Sequence, residues 1–356
     1  DMASLAPSET AHHIAVLSKL YSEYQEYPSQ PHINELEVKK LRTKPSGSGG
    51  FGDCWEGMFL GHLKVAMKCT RGDIDENEAR RKLEREMHIW KNLRHPHVLR
   101  FVGLATLGNT TYMLSPWMDN GTALSYLQGD PDGDCLKILL QIAEGIQYLH
   151  NFNPVVVHGD LKGANVFISK AGDALLADFG LSEMVSEGDD LNNSTAFYAA
   201  GTRRWQAPEL VNAVTAADAQ RTPASDIFAF GRIMTEVERY IFPNPSSQLF
   251  TLQVPFPETS NEVELAKKIA AGEVPRRPKD PFVLSKGLSK PLWELVKECC
   301  RFQPSQRPKA DEVVRRLRIA LEARNTAAGA AGLDDSHMRR FSLRTTARRV
   351  FKAVSC

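Results

Sequence analysis

The sequence has no C-x-x-C pair among its six cysteines, Cys54, Cys69, Cys135, Cys299, Cys300 and Cys356. That spacing speaks against zinc ligation and against a disulfide frame, and it leaves reduced thiols as the expectation. No apolar run approaches the ~18 residues that a membrane-spanning helix needs, and no signal-peptide pattern opens the chain. A charge excess is lacking too: 44 Lys and Arg stand against 43 Asp and Glu, a formal net charge of +1. No global field therefore favours nucleic acid or a membrane as partner, and the location expected is cytoplasmic. What remains is a chain of 356 residues, 42% hydrophobic and 24% charged, long enough for one large domain or two lobes. It starts at Asp1, which fits a fragment or a processed product.

The chemistry concentrates between Val155 and Gly180, VVVHGDLKGANVFISKAGDALLADFG. Val155–Val157, Val166–Ile168 and Ala174–Ala177 read as short buried strands. Asp160 and Asp178 sit where strands give way to loops, with Asn165 between them. One carboxylate can accept a proton from a hydroxyl. The other carboxylate and the Asn oxygen suit a small hard cation that prefers oxygen ligands. Together these are the parts needed to move a phosphoryl group from a metal-bound nucleotide.

Upstream, Pro45 to Lys68 reads as two strands around a loop, with Gly47, Gly49 and Gly52 in G-x-G-x-x-G spacing. Side-chain-free positions let backbone N–H groups close over phosphates. A dinucleotide fold would need these glycines to open a helix, whereas here they lie between strand patterns. Lys68 closes the apolar stretch V-A-M-K, so its ammonium is expected to face a cleft and to need a counter-charge. Glu78–Leu93 has a strong helical pattern with Leu83, Met87, Trp90 and His88/Ile89 inward. Either Glu84 or Glu86 could meet Lys68. Thr10–Tyr27 carries a second stripe, Ala11, Ile14, Leu17, Tyr21 and Tyr24, expected to pack on the main domain, with a partner-binding helix as the alternative. Thr111–Leu114 reads as a strand, and Cys135–His150 and Asp226–Val237 as buried helices. Glu262–Ala271, Lys290–Phe302 and Ala310–Ala323 read as closing helices, and the Pro-rich Ile241–Pro257 as a loop.

In this order the chain shows a glycine loop, V-A-M-K, an acidic helix, H-G-D-L-K-G-A-N, D-F-G, A-P-E, D-I-F-A-F-G and R-P. From about Lys39 to Ala323 it resembles the eukaryotic protein kinases. G-T-R-R-W-Q-A-P-E looks like the tyrosine-kinase-like group, while Lys162 and Thr202 look like Ser/Thr kinases. The resemblance implies an α+β bilobal fold, with a small mainly β N-lobe carrying one helix (about 39–115) and a larger mainly α C-lobe (about 119–323). Residues 1–38 would be an N-terminal helix and linker, and 324–356 a basic disordered tail. It implies ATP and Mg2+, with Mn2+ as the alternative ion, and a protein substrate carrying Ser or Thr. Asp160, Lys162, Lys68 and Glu86 take the catalytic roles, Glu86 being preferred over Glu84 by the family spacing. Asn165 and Asp178 take the metal. Gly47, Ser48, Gly49, Gly50, Phe51, Gly52, Cys54, Ala66, Lys68, Ser115, Trp117, Met118 and Phe167 would line the nucleotide. Backbone groups near Pro116–Met118 would meet the adenine. Cys54 stands where the family usually has Val and is read as packing. Asp226, at a position like an N-cap, would brace the catalytic loop, and Arg307 would pair with Glu209.

One letter departs from the pattern: Gly159 stands where most of these enzymes carry Arg. That Arg normally pairs with a phosphorylated residue of the activation segment. Activity is therefore expected not to depend on phosphate at Ser194, Thr195 or Tyr198. The competing readings are a pseudokinase scaffold, a tyrosine or dual-specificity kinase, and a small-molecule kinase of the aminoglycoside or choline type. The first lacks support because Lys68, Glu86, Asp160, Asn165 and Asp178 are all present. The last matches at His158–Asp160 only. In the tail, Arg339–Ser342 looks like a basophilic-kinase site, and Phe341, Leu343, Val350, Phe351 and Val354 among Arg offer a membrane-surface helix as a minor alternative.

Overall fold

A computed structural model describes residues 7–24, 32–49, 52–69, 76–130, 133–185, 203–215, 218–239, 256, 259–274 and 289–330. Gly50, Phe51, Ser194, Thr195, Tyr198, Thr202, nearly all of 241–257 and the basic tail from 331 lie outside them. So does the expected phosphorylation motif at Ser342.

The N-lobe is built from strands that alternate as their sequences dictate. β1 (His32–Ile33), β2 (Val38–Lys40), β3 (Gly47–Gly49), β4 (Gly52–Phe59), β5 (Leu63–Cys69), β6 (Gly103–Leu107) and β7 (Thr110–Pro116) form one sheet. Its order is β1-β6-β7-β5-β4-β2, with β3 paired to β4. The turn between β4 and β5 takes left-handed backbone at Leu60 (φ 49°) and Gly61 (φ 78°). Strand period sorts the side chains onto two faces. Phe59, Val65, Met67, Cys69, Tyr112 and Leu114 share a buried cluster on one face. Opposite them, the register aligns Cys54 with Lys68, Lys68 with Met113, and Ala66 with Ser115 on the other face.

Helix α1 (Pro7–Tyr24) covers the first of these faces. Tyr21 meets Phe59 edge to face at 5.6 Å, Ile14 and Leu17 pack beside it, and Ser18 Oγ lies 3.0 Å from His62 Nδ1. The stripe is therefore a packing surface on the main domain. Within the expected linker, His32–Ile33 pairs in parallel with β6. A two-residue strand carries too little periodicity to be legible.

α2 (Glu76–Trp90) lies against the sheet, and α3 (Ala123–Gly129) follows β7. In the C-lobe, α4 (Cys135–His150) is the central helix, with Ile138, Leu139, Ile142, Ile146 and Leu149 buried. Around it stand α5 (Pro208–Val211), α6 (Pro223–Arg239), α7 (Glu262–Ala270), α8 (Lys290–Cys299) and α9 (Ala310–Ala330). Two short ladders carry the loops of the cleft: β8 (Val155–Val157) with β11 (Glu183–Val185), and β9 (Val166–Ile168) with β10 (Ala174–Leu176). The fold is thus the α+β bilobal arrangement.

Several boundaries differ from expectation, and two have a clear cause. α6 begins at Pro223 because Thr222 and Ser225 exchange hydrogen bonds there, Ser225 N to Thr222 Oγ1 at 3.2 Å and Thr222 N to Ser225 Oγ at 3.0 Å. This reciprocal cap leaves Asp226 inside the first turn, not at the N-cap. α9 runs past Ala323 to Ala330. Arg324 extends it by a bidentate pair with Asp134, the N-cap of α4, at 2.7 and 2.6 Å.

Burial would raise the Asp134 carboxyl, but bonds from Arg324 and Lys137 N outweigh it and hold it below its usual 3.8. A depressed carboxyl stabilises the fold above its unfolded pKa and loses that contribution as pH falls through the folded one. Arg324→Ala should cost about 0.5–1 kcal/mol at neutral pH, as this pair is partly solvated. The difference from the parent should shrink below about pH 4, read from urea midpoints at pH 7 and pH 3.

Candidate active site

Lys68 is the last inward side chain of β5, and it points between two carboxylates. Its Nζ donates to Glu86 Oε1 at 2.8 Å and to Asp178 Oδ1 at 2.6 Å. The pairing is therefore with Glu86. Glu84 lies on the outer side of α2, in an exposed pair with Arg80 at 2.8 Å. Helical period explains the split, because Leu83, Glu86, Met87 and Trp90 fall on the inner side. His88, expected inward with Ile89, is exposed, two residues from buried Glu86 and so on the opposite side.

The charges in this cluster set one another. Burial works against the Lys68 ammonium, but the two carboxylates outweigh it and raise its pKa above the usual lysine value. Burial pushes Asp178 up, yet Lys68 more than compensates and holds the carboxyl below the usual range. For Glu86, burial dominates over Lys68, and Asp178 adds like-charge repulsion, so its pKa is raised. Asp178 has φ 66°, a left-handed conformation that Asp tolerates better than most residues and that marks local strain at functional sites. A Cβ on Gly180 would stand 3.2 Å from Glu86 Oε2, so the missing side chain lets the backbone pass close to α2. Phe179 is buried between Trp90 and His158, with ring centroids at 5.9 and 5.2 Å.

The loop after β8 is held from below. Asp226 Oδ2 accepts from His158 N at 2.8 Å, and Oδ1 accepts from Gly159 N at 3.0 Å. His158 Nε2 donates to Ala177 O at 3.0 Å while Nδ1 accepts from Asp160 N at 3.3 Å, which settles the tautomer. Ser182 Oγ donates to His158 O at 2.9 Å. Asp160 itself is buried, with Lys162 Nζ on its Oδ2 at 2.6 Å. Asn165 Nδ2 donates to Asp160 O at 2.8 Å and to Asp160 Oδ2 at 3.2 Å. The amide nitrogen is thereby committed to the loop, and the side-chain oxygen is the atom with which Asn165 could ligate a cation. One carboxylate oxygen group and one amide oxygen make a hard donor set, so these residues fit a divalent oxygen-seeking ion.

Cys54, Ala66 and Ser115 share the inner face with Lys68 by strand register. Cys54 is half-buried, and burial pushes its thiol up despite the nearby Lys68, which suits packing and not thiolate chemistry. Trp117 N donates to Lys64 O at 3.1 Å. Phe167 pairs with Thr122 across a single bridge and packs on the C-lobe core beside the hinge. Gly47 and Gly49 pair with Cys54 and Gly52, so paired strands flank the glycine loop. Ser48 belongs to the same strand, β3. Farther down, Arg307 makes a bidentate pair with Glu209 at 2.6 and 2.7 Å, tying A-P-E to the lobe.

Sequence reasoning did not find Arg221 and Glu183. They form a buried pair at 3.2 Å, 38 residues apart. The only hint in the sequence was Gly159. Its φ is +79°, and a Cβ there would stand 2.5 Å from both Arg221 Cδ and Leu181 O. Gly159→Ala should therefore destabilise the protein by more than the ~1–2 kcal/mol of left-handed strain alone; a chemical-denaturation midpoint tests this.

Comparison with known proteins places these features in a wider group. The family model described as "Protein kinase domain" matches residues 42–317. A probable serine/threonine-protein kinase of Dictyostelium discoideum is 26% identical over 292 residues, 81% of this chain and 25% of the relative. A second from that organism, drkB, is 29% identical over 271 residues, 75% of this chain and 35% of the relative. A probable L-type lectin-domain containing receptor kinase of Arabidopsis thaliana is 34% identical over 199 residues, 54% of this chain and 28% of the relative. The chain thus spans about a quarter to a third of the length of these relatives. Among the described residues, no helix is long and apolar enough to cross a membrane.

Proposed function

The chain belongs to the protein kinase domain family, and from that premise we propose that it transfers the γ-phosphoryl group of ATP to Ser or Thr hydroxyls of a protein. Kinase domains use ATP and a divalent metal ion; we take Mg2+ as the ion here. The observation that carries the reading is the contact of Lys68 with both Glu86 and Asp178. It brings the amine of the N-lobe sheet and the acid of the C-lobe loop into direct contact.

In this reading Lys68, held by Glu86, binds the α- and β-phosphates under the glycines of 47–52. Pro116 has no N–H and the Trp117 N–H is given to Lys64 O, which leaves the Met118 N–H as the donor of Pro116–Met118 that would meet adenine. Asp178 and Asn165 would hold the metal ion, which when bound would supply positive charge to the phosphates. Asp160 orients the substrate hydroxyl and accepts its proton. Lys162, already on Asp160 Oδ2, neutralises charge on the moving phosphoryl group. Catalysis then comes from alignment and charge compensation.

The Ser/Thr preference rests on Lys162 and on the names of the relatives. The tyrosine-kinase-like grouping rests on Trp205 before A-P-E, here buried in the C-lobe core. Purified chain with ATP, Mg2+ and a degenerate peptide library should label Ser and Thr positions. Labelling confined to Tyr, or nucleotide binding without turnover, would replace the reading. Phosphatase treatment should leave turnover within about twofold of the untreated chain, since Gly159 offers no cation for a phosphate to grip. A large loss would show that modification is needed.

A further inference from the structure

Gly159 leaves a gap in the catalytic-loop turn, and an arginine from another element fills it. Arg221 comes from the segment just before α6, and its Cδ lies 2.5 Å from where a Gly159 Cβ would stand. The guanidinium is almost fully buried, and Nη1 donates to Glu183 Oε1 at 3.2 Å. Asp160 and Asp226 attract the same cation. Glu183 opens β11, five residues after Asp178, and pairs with Val157 of β8, three residues before Asp160.

This places one buried ion pair beside the loop that bears Asp160 and on the segment that follows Asp178. Among the described residues the β8–β11 ladder has three residues a side, and a two-stranded pair of that length is marginal on its own. Something must hold its register. Backbone bonds from Asp226 fix His158 and Gly159, but they do not reach the strand after Asp178. Ser182 Oγ ties the residue before that strand to His158 O, and Arg221 ties the strand itself through Glu183. Removing one partner of a buried pair leaves an uncompensated charge, so the pair strongly resists separation.

We propose that Arg221 is a positioning residue: inserted beneath the Gly159 turn and clamped by Glu183, it keeps the loop bearing Asp160 aligned with the segment that follows Asp178. The alignment is then built into the fold and does not need a phosphate on the activation segment. This assignment rests on the kinase reading given above.

The test uses Arg221→Met, Glu183→Gln and the double variant, with two readouts. In steady-state phosphorylation, each single variant should lower kcat by ~10–100-fold, as small misplacements of reacting groups do, with KM for ATP little changed. The double variant should lose no more than the worse single one, because the two side chains act as a unit. Arg221→Lys should recover most of the rate. In amide hydrogen exchange, residues 156–160 and 183–185 should lose protection in Arg221→Met while α4 keeps it. Unchanged kcat with only a lower melting temperature would reduce Arg221 to a structural role, and additive losses would break the link to Glu183. If the parent does not phosphorylate at all, the kinase reading fails. The exchange experiment still decides the clamp, since unaltered protection at 156–160 overturns it. Should Arg221→Met not fold, Glu183→Gln, which keeps the cation, carries the same readings.

Discussion

Replacing Asp160 by Ala should lower kcat by about 10²–10⁴-fold, the usual share of a positioned general base. ATP-analogue binding should change little, and the melting temperature should fall without loss of the fold, since Lys162 loses a buried partner. The argument starts from contacts. Asp160 is buried, yet its Oδ2 receives Lys162 Nζ at 2.6 Å and Asn165 Nδ2 at 3.2 Å. Nothing in that set binds a nucleotide base or an α-phosphate, so affinity for ATP should survive. The loop is held independently by the Asp226 bonds to His158 N and Gly159 N, so its backbone should survive as well. Asp160→Asn, which preserves shape and the Asn165 contact, separates loss of the base from loss of packing. An Asp160→Ala protein that phosphorylates as fast as the parent would remove Asp160 from the mechanism.

Lys68→Met should lower kcat/KM by about 10²–10³-fold, the loss seen when one preorganised electrostatic group is removed, and it should also change how stability depends on pH. Lys68 has a raised folded pKa, so its contribution is complete below its usual 10.5 and fades only as pH rises through the higher folded value. At neutral pH the variant therefore forfeits all of it, between about 1 and 3 kcal/mol for a partly buried pair. Glu86 and Asp178 then face each other without a cation. Glu86, already raised by burial in the parent, would bind a proton more readily in the fold than in the unfolded chain. Stability of Lys68→Met should thus increase as pH falls from 8 to 5, relative to the parent. Guanidinium midpoints at the two pH values measure it. A difference that stays constant with pH would mean that the two carboxylates are not held against each other.

Much of this arrangement was legible in the linear chain, and the reasons are local. The helices Cys135–His150 and Glu262–Ala270 have strong apolar periodicity, so their limits were predicted to within a residue. The strands around Asp160 and Asp178 were legible because short β-branched and apolar runs end at polar turns. His32–Ile33 was not, since two residues carry no period. The last helix ran on to Ala330 because the Arg324 pair with Asp134 spans 190 residues, and no window sees such a distance. The same limit hid Glu183 and Arg221.

The choice between Glu84 and Glu86 shows where the division falls. Alone, the sequence determined the kinds of groups present: an amine at the end of an apolar strand, two acids after short strands, an amide between them, glycines where backbone must turn or pass closely. These follow from side-chain chemistry and from period, which are properties of neighbours along the chain. The family resemblance suggested some partners, and the tertiary structure decided them. Glu86 and not Glu84 meets Lys68, Asp226 braces the loop from inside its helix, and Arg221 occupies the gap beside Gly159. Partnership depends on how sheets and helices pack across the lobes, where burial makes an unpaired charge costly and so selects the pairs that close.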